Sequence, residues 1–103
     1  MYNVIMVTVP DKKEARKISE ALIRGKYAAC VNIILGVESL FWWEGKVDSS
    51  KELLLFIKSK KDKTSAIIKK VKSLHSYKVP EIISLKISAG SKPYLNWIDE
   101  SVR

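Results

Sequence analysis

The chain has 103 residues, of which 47% are hydrophobic and 29% charged, and a formal net charge of +8. That length supports one domain, residues 1–103, around one modest core, and excludes a two-domain enzyme. A single cysteine, Cys30, excludes an internal disulfide, and no apolar run (Leu53–Ile57 is among the longest) nears the roughly 18 residues of a membrane helix.

Tyr2 to Val9 is apolar and rich in β-branched residues, the pattern of a buried strand, and Pro10-Asp11 stops it. Asp11 with Glu14 three residues on is a capping-box variant, after which Ala15, Ile18, Ala21 and Leu22 share one helical face. Gly25 reads as the C′ glycine that ends this helix. From Ala28 to Glu44 the chain is strand-like, Gly36 marking a bulge or bend, and Glu44-Gly45-Lys46 is a hairpin turn. Val47 to Ser59 returns as a strand through the polar stretch Asp48 to Glu52. Asp62 or Thr64 then caps a helix with Ile67, Ile68, Val71 and Leu74 inward, ending near His75. Val79-Pro80 restarts an extended segment in which Ile83, Leu85 and Ile87 alternate with polar residues, as in a half-buried strand. Pro93 opens a short terminal helix containing Tyr94, Trp97, Ile98 and Ser101.

The order is β-α-β-β-α-β plus a helix, an α+β ferredoxin-like fold in which two helices cover one face of an antiparallel sheet. Runs such as Ile33-Ile34-Leu35 and Leu53–Ile57 point to both faces, so the second face also needs cover. Ala28 to Glu44 at about 3.3 Å per residue reaches roughly 55 Å, far beyond a small domain whose radius of gyration is near 13 Å. The arm carries Leu40, Phe41, Trp42 and Trp43, with the two tryptophans facing opposite sides. Leaving that cluster in water forfeits several kcal/mol at roughly 25 cal/mol per Å². An obligate homo-oligomer packed through the open face and the hairpin is the expected solution.

Most of the excess charge is local. Lys58, Lys60, Lys61, Lys63, Lys69, Lys70, Lys72 and Lys78 face one acid, Asp62, between Ile57 and Lys78, and every basic residue except Arg16, Arg24 and Arg103 is Lys. A solvated helix face explains this better than base or phosphate recognition, which favours Arg. The third strand reads Glu52-Leu53-Leu54-Leu55-Phe56-Ile57 and lacks the aromatic signature of an RNA-binding sheet, so no nucleic-acid partner is expected. Pro10-Asp11-Lys12-Lys13 has neither the glycines nor the Arg of an anion-cradling hydrolase loop, and no enzyme activity is expected. The start, Met1-Tyr2-Asn3-Val4, lacks the regions of a signal peptide, so a cytoplasmic chain with no membrane partner is expected.

Four motifs, Ala28-Ala29-Cys30-Val31-Asn32, Trp43-Glu44-Gly45-Lys46-Val47, Leu74-His75 with Tyr77 and Val79-Pro80-Glu81-Ile82, and Tyr94-Leu95-Asn96-Trp97, resemble the CutA divalent-cation tolerance family in order and spacing. Thr8-Val9-Pro10-Asp11 opens the first helix as that family does. The resemblance implies a cytoplasmic homotrimer of ferredoxin-like subunits tied to tolerance of copper and other divalent metals. An alternative is a trimer similar to the PII signalling proteins, regulatory or scaffolding, whose link to metals is indirect.

For copper or another divalent metal the one soft ligand is Cys30 and the one imidazole is His75. Copper-binding members that this chain resembles carry a Cys before the Thr-x-Pro motif and a His-His pair after the second helix. Val7 and Leu74-His75 stand there, so the resemblance transfers His75 alone, and Cys30 is added from its own chemistry. Trp43 and Glu44 at the hairpin, with Tyr77 and Glu81 flanking Pro80, are the expected lining of a small-ligand cleft between subunits. No organic cofactor is expected.

Overall fold

The opening strand becomes the middle of the sheet. In the computed structural model, which describes residues 1–103, β1 (Tyr2–Val9) is followed by α1 (Lys12–Arg24), β2 (Cys30–Trp43) and β3 (Lys46–Lys60). A 3₁₀ turn (Lys61–Lys63) leads into α2 (Thr64–Leu74), β4 (Ile82–Lys86) and α3 (Lys92–Ser101). The strands run β2-β3-β1-β4, all antiparallel, with every residue of β1 paired to β3. This is the expected ferredoxin-like α+β order.

Alternation along the strands sorts the core. Ile5, Val7, Val9, Leu55 and Ile57 pack under Ala15, Ile18 and Leu22 of α1 and Ile67 and Val71 of α2, all of them buried. The opposite face carries Val4, Met6, Phe56 and Lys58, and α3 lies against one end of it: Ile98 and Val102 are buried, and the Lys58 ammonium sits over the Tyr94 ring. The last residue is tied back by Arg103 N–H donating to the Lys26 carbonyl.

Several local expectations change. Asp11 caps α1 by accepting from the Glu14 N–H at 2.8 Å, but the Glu14 carboxylate does not return the bond; it turns to the loop after α2. Gly25 has φ −81 and Lys26 takes the left-handed φ of 61, so the left-handed C′ residue is a lysine. Gly25 is needed for space instead, because a Cβ there would lie 2.6 Å from the Tyr27 ring. Neither Asp62 nor Thr64 caps α2, since the 3₁₀ turn feeds directly into it, and Thr64 Oγ1 accepts from Asn3 instead. In β4 it is Ile82 that packs on the core, whereas Ile83 and Leu85 lie on the open face. They share rows with Met6 and Val4, which fixes their direction.

The β2–β3 arm sets the shape. Trp43 pairs with Lys46 across a two-residue turn whose Glu44 and Gly45 both have positive φ, the geometry that matches strand twist. A bulge lies between Ile34 and Val37, with Gly36 at φ 75, as the glycine suggests. The bulge and the later start of β2, at Cys30, hold the longest dimension to 44 Å rather than the 55 Å expected.

Candidate functional site

β1 ends at Val9, which pairs with Leu53, so the next residue of β3, Glu52, has no β1 neighbour. The chain leaving α2 fills that vacancy. His75 is the C-cap of α2, with its N–H still bonded to the Val71 carbonyl, and its extended backbone turns the chain back toward the end of β1. The imidazole is fully buried, with Nε2 2.7 Å from the Thr8 carbonyl oxygen. A carbonyl only accepts, so Nε2 carries a hydrogen. Nδ1 accepts from the Tyr77 N–H at 3.0 Å and lies 3.2 Å from the Glu14 carboxylate, which also accepts from the Ser76 N–H. The His75 and Tyr77 rings are 4.8 Å apart, and the Tyr77 hydroxyl donates to buried Glu52 at 2.8 Å. Burial first, and then the hydrogen bond to Glu52, push the Tyr77 hydroxyl up to about 12.

The result is a set of polar contacts, Thr8–His75–Tyr77, Ser76–Glu14 and Tyr77–Glu52, that fastens the α2–β4 connection to β1, α1 and β3. It includes two sheltered carboxylates and no Lys or Arg within ion-pairing distance of either, in a chain of net charge +8. Glu14 carries the signal of a capping residue and Glu52 that of a polar strand, so neither advertises this role in the sequence.

The two candidate metal ligands are not brought together. Cys30, free and partly buried, shares a row with Lys58 and Val4, while His75 sits at Thr8, about 13 Å farther along β1 and two strands away. Both ring nitrogens of His75 are engaged, and no three His, Cys, Asp or Glu side chains converge on a point where a metal ion could be held. A metal centre built from Cys30 and His75 inside one chain does not fit this geometry.

The cleft candidates also divide into two pairs. Trp43 and Glu44 are exposed at the hairpin tip, six residues and about 20 Å along β3 from the Glu52 position that Tyr77 reaches. Glu81 is exposed immediately before β4. An open hollow of about 470 Å³ lies elsewhere, between Met1, Tyr2, Lys60, Lys61, Asp62 and Asp99.

Comparison with known proteins gives this arrangement a context. A rice protein named CutA 1, chloroplastic, is 45% identical over 97% of this chain, and the chain spans only 56% of that relative's length. The divalent-cation tolerance protein CutA of Archaeoglobus fulgidus is 41% identical over 99% of both chains, and its structure, described as periplasmic, superimposes with a TM-score of 0.97 over 100% of both. The Thermus thermophilus counterpart is 42% identical over 98% of both chains, and its structure also gives 0.97 over 100% of both, at 41% identity. Residues 3–101 match the model of one family, and with these relatives the chain belongs to the CutA1 divalent ion tolerance proteins.

Proposed function

We propose that the chain acts as a homotrimer in divalent-cation tolerance and holds metal ions, copper among them, or a small ligand in clefts between its copies. The observation that carries the assembly is the surface one chain leaves apolar. Its accessible area is 6876 Å², against about 5,900 Å² for a typical monomer of this mass. The excess, roughly 1,000 Å², is comparable with the 800 Å² or so that one partner contributes to a standard interface. Leu35, Leu40, Trp42, Val47, Val79 and Leu85 are each more than half exposed. The sheet also ends in two unlike free edges, β2 and β4, and contacts between unlike surfaces form a ring when the rotation between copies closes.

Such a ring gives Trp43 and Glu44 of one copy the chance to line a cleft with Tyr77 and Glu81 of another. His75 is then a structural residue, and a metal ion in the cleft takes its donors from several copies. No catalytic step, organic cofactor, nucleic acid or membrane partner is assigned. No helix is long and apolar enough to cross a membrane, and the cytoplasm is the proposed compartment. A regulatory trimer with only an indirect link to metals is the second reading, favoured by the engagement of both His75 nitrogens.

Sedimentation at micromolar concentration tests the assembly: three chains are expected, and a stable monomer overturns it. Calorimetric titration of the trimer with Cu(II) tests the ligand, with heat released equally by wild type and His75→Ala. No heat with Cu(II), together with a co-purified organic ligand in native mass spectrometry, favours the regulatory reading.

A further inference from the structure

Lys58 stands on the sheet face that α1 and α2 leave open, in one row with Val4, Cys30 and Leu85. It is already half-buried, and its ammonium lies 5.9 Å from the centre of the Phe56 ring and 5.7 Å from that of Tyr94. No carboxylate of the chain is within 4 Å of it. Around it Ile83, Leu85, Tyr94 and Trp97 are each about half exposed, so this half-buried cation is ringed by the apolar surface that needs cover. Covering it takes the ammonium out of water. Aromatic faces offset part of that loss but supply no counter-charge, and a buried ammonium without one is strongly unfavourable.

We propose that a neighbouring copy of this chain delivers a carboxylate to Lys58, completing a charge pair that fixes how the copies register; this rests on the homotrimer proposed above. The chain's own acids narrow the donor. Asp11, Glu14, Glu20, Asp48, Glu52 and Asp99 are engaged within the subunit. Of the others, Asp62 and Glu100 belong to helical segments, whereas Glu38 in β2, Glu44 at its turn and Glu81 at the foot of β4 lie on the two free edges of the sheet. Within one subunit Glu81 cannot serve, because it is four residues from Leu85, the β4 member of the Lys58 row, about 13 Å along the strand.

Sedimentation equilibrium on charge reversals tests this. Lys58→Glu raises the concentration for half-assembly by about 100-fold or more, the scale expected for breaking a buried pair, while Lys58→Arg assembles as wild type does. One of the doubles that add Glu38→Lys, Glu44→Lys or Glu81→Lys to Lys58→Glu restores assembly to within about tenfold of wild type. Should Lys58→Glu alone not fold, the doubles still decide, and the same acid reversed in the wild-type background weakens assembly by itself. Normal assembly of Lys58→Glu, or failure of all three doubles, overturns the pair. A monomeric wild type instead overturns the homotrimer, whatever the Lys58 variants do.

Discussion

Replacing Tyr77 with Phe removes one oxygen and keeps the ring against His75. The lost bond is a 2.8 Å donation to the carboxylate of Glu52, which is buried and has no cation beside it. A hydrogen bond to a charged group contributes about 1.5–3 kcal/mol, and a sheltered carboxylate left short of a donor adds a desolvation cost. Because Tyr77 is only part-buried, the lower half of that range applies, about 2 kcal/mol per subunit. For a domain of this size that lowers Tm by roughly 10 °C, measured by scanning calorimetry at fixed protein concentration. The pH dependence gives a second readout. The folded hydroxyl titrates near 12 and the unfolded one near 10, so the neutral form is favoured by folding. Its contribution is complete below pH 10 and disappears between pH 10 and 12. The two-unit difference is worth nominally about 2.7 kcal/mol, or about 1 kcal/mol after allowing for solvent screening. Tyr77→Phe flattens that part of the pH–stability curve, although Tyr2, whose hydroxyl is raised by its bond to Asp99, leaves a residual slope of the same sign. A Tm within 1 °C of wild type and a parallel alkaline limb would refute the latch.

Two further outcomes follow from the same geometry. His75→Ala empties a fully buried site and leaves the Thr8 carbonyl and the Tyr77 N–H without the ring, costing about 3 kcal/mol in urea unfolding; a cost under 1 kcal/mol would mean that the ring holds nothing in place. Lys26→Gly relieves a left-handed φ of 61 and stabilises by about 0.5–1 kcal/mol, whereas Gly25→Ala drives a methyl into the Tyr27 ring and destabilises by about 1–3 kcal/mol. Destabilisation by Lys26→Gly would contradict the assignment of Lys26 as the left-handed residue.

Local signals carried most of the fold into the sequence. Period-2 and period-3.6 patterns, Pro10, the Glu44-Gly45 turn and Pro93 mark the elements to within a few residues, because each acts over one turn or one strand. The errors fall where two local rules compete. At Gly25-Lys26 the glycine signals a left-handed cap, but the close approach of Tyr27 uses its missing Cβ and shifts the cap one residue on. Glu14 has the spacing of a capping box, yet the Ser76 N–H in the α2–β4 loop holds its carboxylate instead. Of the candidate site, Tyr77 and His75 were legible as residues but not as neighbours. The bond from Tyr77 to Glu52 spans 25 positions, and the contact of His75 with Thr8 spans 67, so no periodicity records either.

These long-range bonds decide where the edge strand begins. Thr8, Glu14 and Glu52 belong to three different elements, and each holds one point of the segment from His75 to Tyr77. Beyond the last of them the chain carries Val79, 72% exposed, and Glu81 to the start of β4, whose outer side has no strand beside it. A buried polar network that is fully satisfied fixes one arrangement and is destabilising when half satisfied. The network therefore fixes, from three different elements, the geometry of the surface that β4 presents to other molecules. On that account Tyr77→Phe loosens Glu81 and β4 as well as the hydroxyl's own bond. Amide hydrogen exchange then accelerates in β4 ahead of β1 and β3, although β1 lies directly beside β4 in the sheet.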